Sequence, residues 1–177
     1  VGTFTPTQFA ALTTTAIGGL TSAELAALSE KQLAALTSFQ LGAFETKQIV
    51  TLDATQLAAL TTTAIAGLTD TQVAALSMTQ LSTLSSDQLA AFSATAAGGF
   101  TVTEMAALTV AQLEKLSAAA IGGLTSAQVA ALTATQIGAL TTTQIAALSG
   151  TGLYGLTETE LAAFSTEQLV ALSSTQF

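Results

Sequence analysis

The sequence predicts an all-α solenoid, a superhelix of short capped helices with one helix in each eight-residue repeat. Three observations lead to this prediction. From Phe4 the chain repeats one octad twenty-two times without insertion or deletion, and position one of the octad is always Leu or Phe. Position two is Ser or Thr in twenty copies, and position five is Gln or Glu in seventeen. Self-similarity at a short fixed period indicates a repeat architecture, in which each unit buries its apolar face against its neighbours.

Each predicted helix begins at position two of its octad. A Ser or Thr there is a good N-cap, and position five then falls at N3, so that the spacing S/T-x-x-Q/E forms a capping box. Pro6 would stand at N1, where its missing N–H costs nothing. Asp53 and Glu45 replace the hydroxyl residue in two copies, and Asp53 is the better cap of the two. The candidate capping residues that represent the pattern are Thr21 with Glu24, Thr133 with Gln136, and Thr141 with Gln144.

Positions one and six supply the predicted core. Position six is large and apolar in every copy except at Ala97. With the N-cap at position two, positions one and six become N′ and N4, which pack together as a hydrophobic staple. The staple residues that represent the core are Leu132 with Ile137 and Leu140 with Ile145.

Two alternative folds follow from the same period. In a continuous helix eight residues at ~100° each advance ~800°, so the apolar seam would drift by roughly 80° per octad and require unusual supercoiling. In a β-solenoid positions one and six would point to opposite faces of a strand, and Ala and Gln favour helix. Short helices that restart at each position two keep the apolar residues on one face.

One octad cannot be stable alone. Two large buried side chains contribute roughly 3–6 kcal/mol, whereas ordering eight residues costs on the order of 12 kcal/mol. Stability must therefore come from stacking, including close contact through the small residues at positions seven and eight. Gly-rich octads recur at gaps of three or four, and bulkier residues at position eight, namely Thr51, Thr83 and Lys115, recur every four. This spacing predicts about 24 to 32 residues per superhelical turn, although Gly138 interrupts the series.

Composition excludes several classes of function. The net charge is −8, with three Lys, no Arg, no His and no Cys. Phosphate neutralisation needs clustered cations, so we expect no nucleic-acid binding. Without imidazole or thiol no Ser-His-Asp or Cys-His arrangement can form, and we expect no enzymatic activity, cofactor or specific metal site. No apolar run is long enough to span a bilayer as a helix, despite a mean hydropathy of +0.62.

Weaker signals support a ligand-binding alternative. Acids such as Glu158, Glu160, Asp53 and Asp70 could offer oxygen atoms to calcium, but they are scattered over the octad and fit capping and solubility better. The Thr-rich positions could bind ice or a peptide. Apolar residues at exposed positions would mark a lateral contact between copies if they aligned: Phe39, Met78, Val102, Val110 and Tyr154.

The organisation we expect is one tandem-repeat array over residues 1–177, cut from a longer array or continued by end-to-end stacking between chains. The phrases at 28–35, 124–131 and 140–147 resemble the low-complexity arrays of large secreted, adhesin-like proteins of bacteria, including some labelled haem-utilisation exoproteins. That resemblance implies an extracellular or cell-surface rod or filament that assembles with itself and mediates adhesion. A haem role finds no His or Cys ligand here, only Met78, Met105 and Tyr154.

Overall fold

A computed structural model describes residues 3–173 and 176, and this part of the chain carries one short helix in each successive octad. Helix numbers therefore equal octad numbers. The helices are α1 (Pro6–Ala10), α2 (Thr14–Gly18), α3 (Ser22–Ala26), α4 (Glu30–Leu33), α5 (Ser38–Gly42), α6 (Thr46–Ile49), α7 (Ala54–Ala58), α8 (Thr62–Ile65), α9 (Asp70–Ala74), α10 (Met78–Thr83), α11 (Ser86–Ala90), α12 (Ala94–Gly98), α13 (Val102–Ala107), α14 (Val110–Lys115), α15 (Ala118–Gly122), α16 (Ser126–Ala130), α17 (Ala134–Gly138), α18 (Thr142–Ala147), α19 (Gly150–Leu153), α20 (Glu158–Leu161) and α21 (Thr166–Ala171).

The architecture is the all-α solenoid that the octad predicts. The described residues contain no strand and no helix longer than six residues, so the β-solenoid and the continuous helix are both excluded. Helices three apart in sequence pack against each other along the array, as α5 does with α8 and α12 with α15. Successive turns of the superhelix therefore stack on one another, and the array is stabilised by contacts between turns.

The chain turns a corner at each position two. Thr141, for example, has φ −68° and ψ 157°, which is extended backbone between the end of α17 and the start of α18. Its side chain accepts a hydrogen bond from the N–H of Gln144 at 3.2 Å, and its carbonyl accepts from Ile145 N at 2.9 Å. No described residue has a positive φ, so the corners do not depend on glycine in the left-handed region.

The core is a single continuous cluster along the superhelix. Positions one and six supply nearly all of it, and Leu132, Ile137, Leu140 and Ile145 are all at most 3% exposed. Ala97, which is the one small residue at position six, is fully buried, and Phe92 meets Phe100 nearby with their ring centroids 5.4 Å apart in a T-shaped contact. Phe92 begins the octad that contains Ala97, and Phe100 begins the next one.

We expect replacement of one capping hydroxyl to destabilise the whole array measurably. Thr141→Ala removes the acceptor for the Gln144 N–H and should lower the free energy of unfolding by about 1 kcal/mol. Urea denaturation followed by far-UV circular dichroism measures this change.

The matched controls are Thr141→Ser, which keeps the hydroxyl, and Thr143→Ala at an exposed position of the same octad. Both should stay within about 0.5 kcal/mol of the parent protein. Equal losses in Thr141→Ala and Thr143→Ala would show that the hydroxyl has no capping role.

Candidate functional site

The residue at position five of the octad links the turns of the superhelix. Glutamine is usually exposed, yet at this position it is buried through most of the described array. A buried amide must satisfy both its oxygen and its nitrogen by hydrogen bonds. The side chains therefore need partners beyond their own helix.

Gln144 shows the arrangement in full. Its Oε1 accepts hydrogen bonds from the backbone N–H of Thr141 at 2.9 Å and from the Thr141 hydroxyl at 3.1 Å, which completes the capping box of α18. Its Nε2 donates to Leu113 O at 3.0 Å and to Leu116 O at 2.9 Å, one turn earlier in the superhelix. One side chain therefore satisfies the beginning of its own helix and the end of α14.

The acceptors are carbonyl groups that a helix cannot satisfy internally. The last carbonyl groups of a helix lack partners within the helix, and here the acceptors belong to positions six, seven and one of an octad. The position-six oxygen also accepts from the N–H of the following position one, as Leu113 O does from Leu116 N at 3.1 Å. The offsets between donor and acceptor are constant at 31, 30 and 28 residues, as in the bonds of Gln136 to Met105, Ala106 and Leu108. Equivalent bonds are made by Gln32, Gln40, Gln48, Gln56, Gln72, Gln80, Gln88, Gln128, Gln168 and Gln176.

This register fixes the pitch of the superhelix. An offset of 28 to 31 residues, together with packing between helices three apart, corresponds to between three and four octads per turn. The value lies inside the range of 24 to 32 residues that the Gly spacing predicts. The sequence pattern predicts the capping box but not the bonds that the same amide makes to the preceding turn. The capping box alone is enough to explain why Gln stands at position five.

A second type of octad replaces glutamine. Five octads have Ala or Gly at position five, and each of these also has Gly at position eight, where Gly is otherwise absent. The pairs are Ala16 with Gly19, Ala64 with Gly67, Ala96 with Gly99, Ala120 with Gly123, and Gly152 with Gly155. Loss of the amide therefore coincides with loss of the side chain at the position that faces the preceding turn.

The structure explains this pairing by close backbone contact. A Cβ atom added to Gly67 would lie 2.0 Å from Ser38 O, and one added to Gly99 would lie 2.1 Å from Asp70 O. A Cβ atom added to Gly123 or to Gly155 would likewise lie 2.1 Å from a carbonyl oxygen of the preceding turn. These helices sit so close to the preceding turn that any side chain at position eight would overlap its backbone. A Cβ atom added to Gly138 would have its nearest contact at 3.4 Å, so Gly138 is not a close-contact glycine.

The capping residues singled out from the sequence all lie at helix N-termini. Thr21 N donates to Glu24 Oε2 at 2.9 Å, and Thr133 N donates to Gln136 Oε1 at 2.7 Å. The backbone N–H of Thr21, with its hydroxyl, lowers the pKa of Glu24 below its ordinary value by stabilising the carboxylate. Gln136 also donates to the preceding turn, whereas no such bond from Thr21 or Glu24 is found among the described residues.

The surface carries few groups that could do chemistry. No cluster of three or more His, Cys, Asp or Glu residues that could hold a metal occurs within 3–173 and 176. Glu45, the poorer cap, forms an exposed ion pair with Lys47 at 2.6 Å, while its backbone N–H donates to Gln48 Oε1. Phe39 and Tyr154 are 82% and 87% exposed, and Val110 is only half-buried. The helices of the described part are also too short to cross a membrane.

Short helices, a continuous core and bonds between turns at one fixed register define a helical tandem-repeat protein of structural type. A family profile named the ALTTAQ repeat matches residues 1–38, 41–78, 103–134 and 123–150, so the chain belongs to the ALTTAQ repeat family. The six-residue sequence ALTTAQ occurs at residues 139–144 with one change, Thr143 in place of Ala. This segment runs from position eight of one octad to position five of the next. No match was found among curated proteins or among solved structures.

We expect the amide of Gln144 to contribute more to stability than its capping bond alone. Gln144→Ala removes the bonds to Leu113 O and Leu116 O and leaves the buried carbonyl group of Leu116 without a donor, so the free energy of unfolding should fall by about 3 kcal/mol. The matched control is Gln112→Ala. Gln112 makes the same capping box and no bond to the preceding turn is found for it among the described residues, so its loss should cost about 1 kcal/mol. Equal losses in urea denaturation would contradict the linking role.

We expect a methyl group at Gly67 to separate two turns. Gly67→Ala should lower the free energy of unfolding by about 3 kcal/mol, because the new Cβ would overlap the backbone of Ser38. Gly19→Ala is the control, since the described atoms nearest its Cβ belong to its own helix at 3.5 Å. That variant should be neutral or more stable by about 0.5–1 kcal/mol, as Ala usually is in a helix. Thermal unfolding of both variants measures the difference, and a neutral Gly67→Ala would rule out the close-contact explanation.

Proposed function

We propose that this protein is a structural rod of the bacterial exterior, which assembles into filaments and mediates adhesion through its length and its surface. The observation that carries the proposal is the constant register between turns. Each turn presents Gln side-chain donors to the turn before it and free helix-end carbonyl groups to the turn after it. Length can therefore be added by repeating one interface.

The interface between turns also supports self-assembly. It is heterologous, because the donor surface and the acceptor surface are different, and interfaces of this kind extend without closing. Two copies that stack donor surface on acceptor surface would use the same bonds that join turns within a chain. We therefore propose a second copy of the chain as the principal partner.

Composition supports an extracellular location and a role without catalysis. The chain has no Cys, a net charge of −8 and many exposed Ser and Thr side chains at positions three and four. The hydroxyl groups at position two are used in capping, as Thr141 and Ser165 show. A contact with a cell surface would use the exposed hydroxyl groups and isolated apolar side chains such as Phe39.

Electron microscopy of the purified protein tests the rod and the filament together. We expect fibres of constant width whose mean length increases with protein concentration. A chain in which residues 116–147 are duplicated gains four octads, and its single particles should be longer by a fixed increment at the same width. Discrete particles of one length at every concentration would contradict assembly. A change in width on duplication would contradict the rod.

A further inference from the structure

Two octads place a buried carboxylate at position five, where the Gln octads place an amide. Glu104 and Glu160 occupy position five and are only 5% and 6% exposed. Each completes a capping box through Oε2, which accepts from Thr101 N at 2.6 Å and from Thr157 N at 2.7 Å. Among the described residues, no N–H or O–H donates to Oε1 of either side chain.

If Glu104 and Glu160 keep the register of the Gln octads, their carboxylates face carbonyl oxygens of the preceding turn. In the Gln octads, Oε1 bonds to the N-cap and Nε2 lies within hydrogen-bond distance of three carbonyl oxygens, as Gln72 Nε2 does at 2.9, 3.3 and 2.7 Å. The same offsets assign Val73, Ala74 and Leu76 to Glu104, and they assign Val129, Ala130 and Leu132 to Glu160. A carboxylate has no proton to offer these carbonyl groups, and the C-terminal end of a helix repels a negative charge.

The packing near Glu104 differs from the rest of the array. Among the pairs of helices three apart, α10 and α13, the helix that bears Glu104, make the least contact, whereas α20, the helix that bears Glu160, packs against α17 as the other pairs do. The next Gln along the chain, Gln112, also makes no bond to the preceding turn that is found among the described residues. At Glu104, but not at Glu160, the replacement of the amide by a carboxylate therefore coincides with less contact between the turns.

We propose that Glu104 and Glu160 each complete a calcium site with the carbonyl oxygens of the preceding turn. Calcium takes oxygen ligands from carboxylates, backbone carbonyl groups and water in flexible geometry, at 2.3–2.6 Å. In each site one carboxylate and up to three carbonyl groups supply the protein ligands, and water completes the shell. Every fully buried polar side-chain atom in the described part has a hydrogen-bond partner, so Oε1 keeps some contact with solvent. That contact gives water and the ion access to the site.

Calcium suits this arrangement better than magnesium does. Magnesium requires nearly ideal octahedral geometry at shorter distances and loses its water reluctantly, whereas the carbonyl groups here have positions set by helix ends. A site with a single carboxylate should be weak, with a Kd of about 1 mM, which is typical of extracellular calcium modules. Bound calcium would join two turns at the two octads where a buried carboxylate replaces the amide. This proposal concerns the stability of the folded array and does not depend on the proposed formation of filaments.

The test is thermal unfolding of the full chain after treatment with EDTA, with and without 10 mM calcium chloride. At about ten times the expected Kd, two sites should raise the Tm by about 5–10 °C in the parent protein. The double variant Glu104→Gln with Glu160→Gln should show no calcium-dependent rise, because each new amide donates to the carbonyl groups itself. Since Gln is the usual residue at position five, this variant is expected to fold.

The matched control is the double variant Glu24→Gln with Glu158→Gln, which changes the net charge equally. Glu24 also stands at position five, but no contact of its side chain with a preceding turn is found among the described residues, and Glu158 is exposed. This control should keep the calcium response of the parent protein. A parent Tm that does not move, an equal rise in the Glu104/Glu160 variant, or an equal rise with 10 mM magnesium chloride would each overturn the proposal.

Discussion

The hydrogen bonds of a single amide determine how this chain folds. Helices of four to six residues leave most of their backbone polar groups unsatisfied, because the first N–H groups and the last carbonyl groups have no partner within the helix. Gln144 and its equivalents satisfy both kinds of group at once, the N–H of one helix and the carbonyl groups of another helix about 30 residues earlier. The rest of the structure depends on this link, since stacking is what makes such short helices stable.

The array uses two ways of bringing turns together, and they exclude each other. Where position five is Gln, the amide occupies the space between turns and position eight can carry a methyl group or a larger side chain such as Thr83. Where position five is Ala or Gly, position eight is always Gly, and at four of these five glycines the backbones touch, as at Gly123 against Ala94. In the octad of α15, Ser117 donates its hydroxyl to Phe92 O at 3.3 Å, which replaces one of the missing amide bonds. The order of the two octad types along the chain therefore determines how close neighbouring turns lie at each point, while every octad keeps its eight residues.

The functional conclusion follows from where the polar groups are used. The Ser and Thr residues at position two are used in capping, and most Gln residues are used between turns, so the polar side chains left on the surface are mainly the Ser and Thr hydroxyl groups at positions three and four. What the protein offers instead is a surface that repeats at a fixed interval and a length that increases with the number of octads. The proposed structural role needs these two properties, and it needs little specific chemistry at any one position.

The sequence by itself determined the local structure. The S/T-x-x-Q/E spacing fixes where each helix begins, and Leu or Ile at positions one and six fixes the buried face, because both depend on residues close together in the chain. Even the approximate number of residues per turn could be read from the spacing of Gly. The second hydrogen bond of Gln136 or Gln144 and the close contact of Gly67 with Ser38 were decided only by the tertiary structure. Their partners lie about 30 residues away, and no local pattern distinguishes a Gln that caps one helix from a Gln that also caps another.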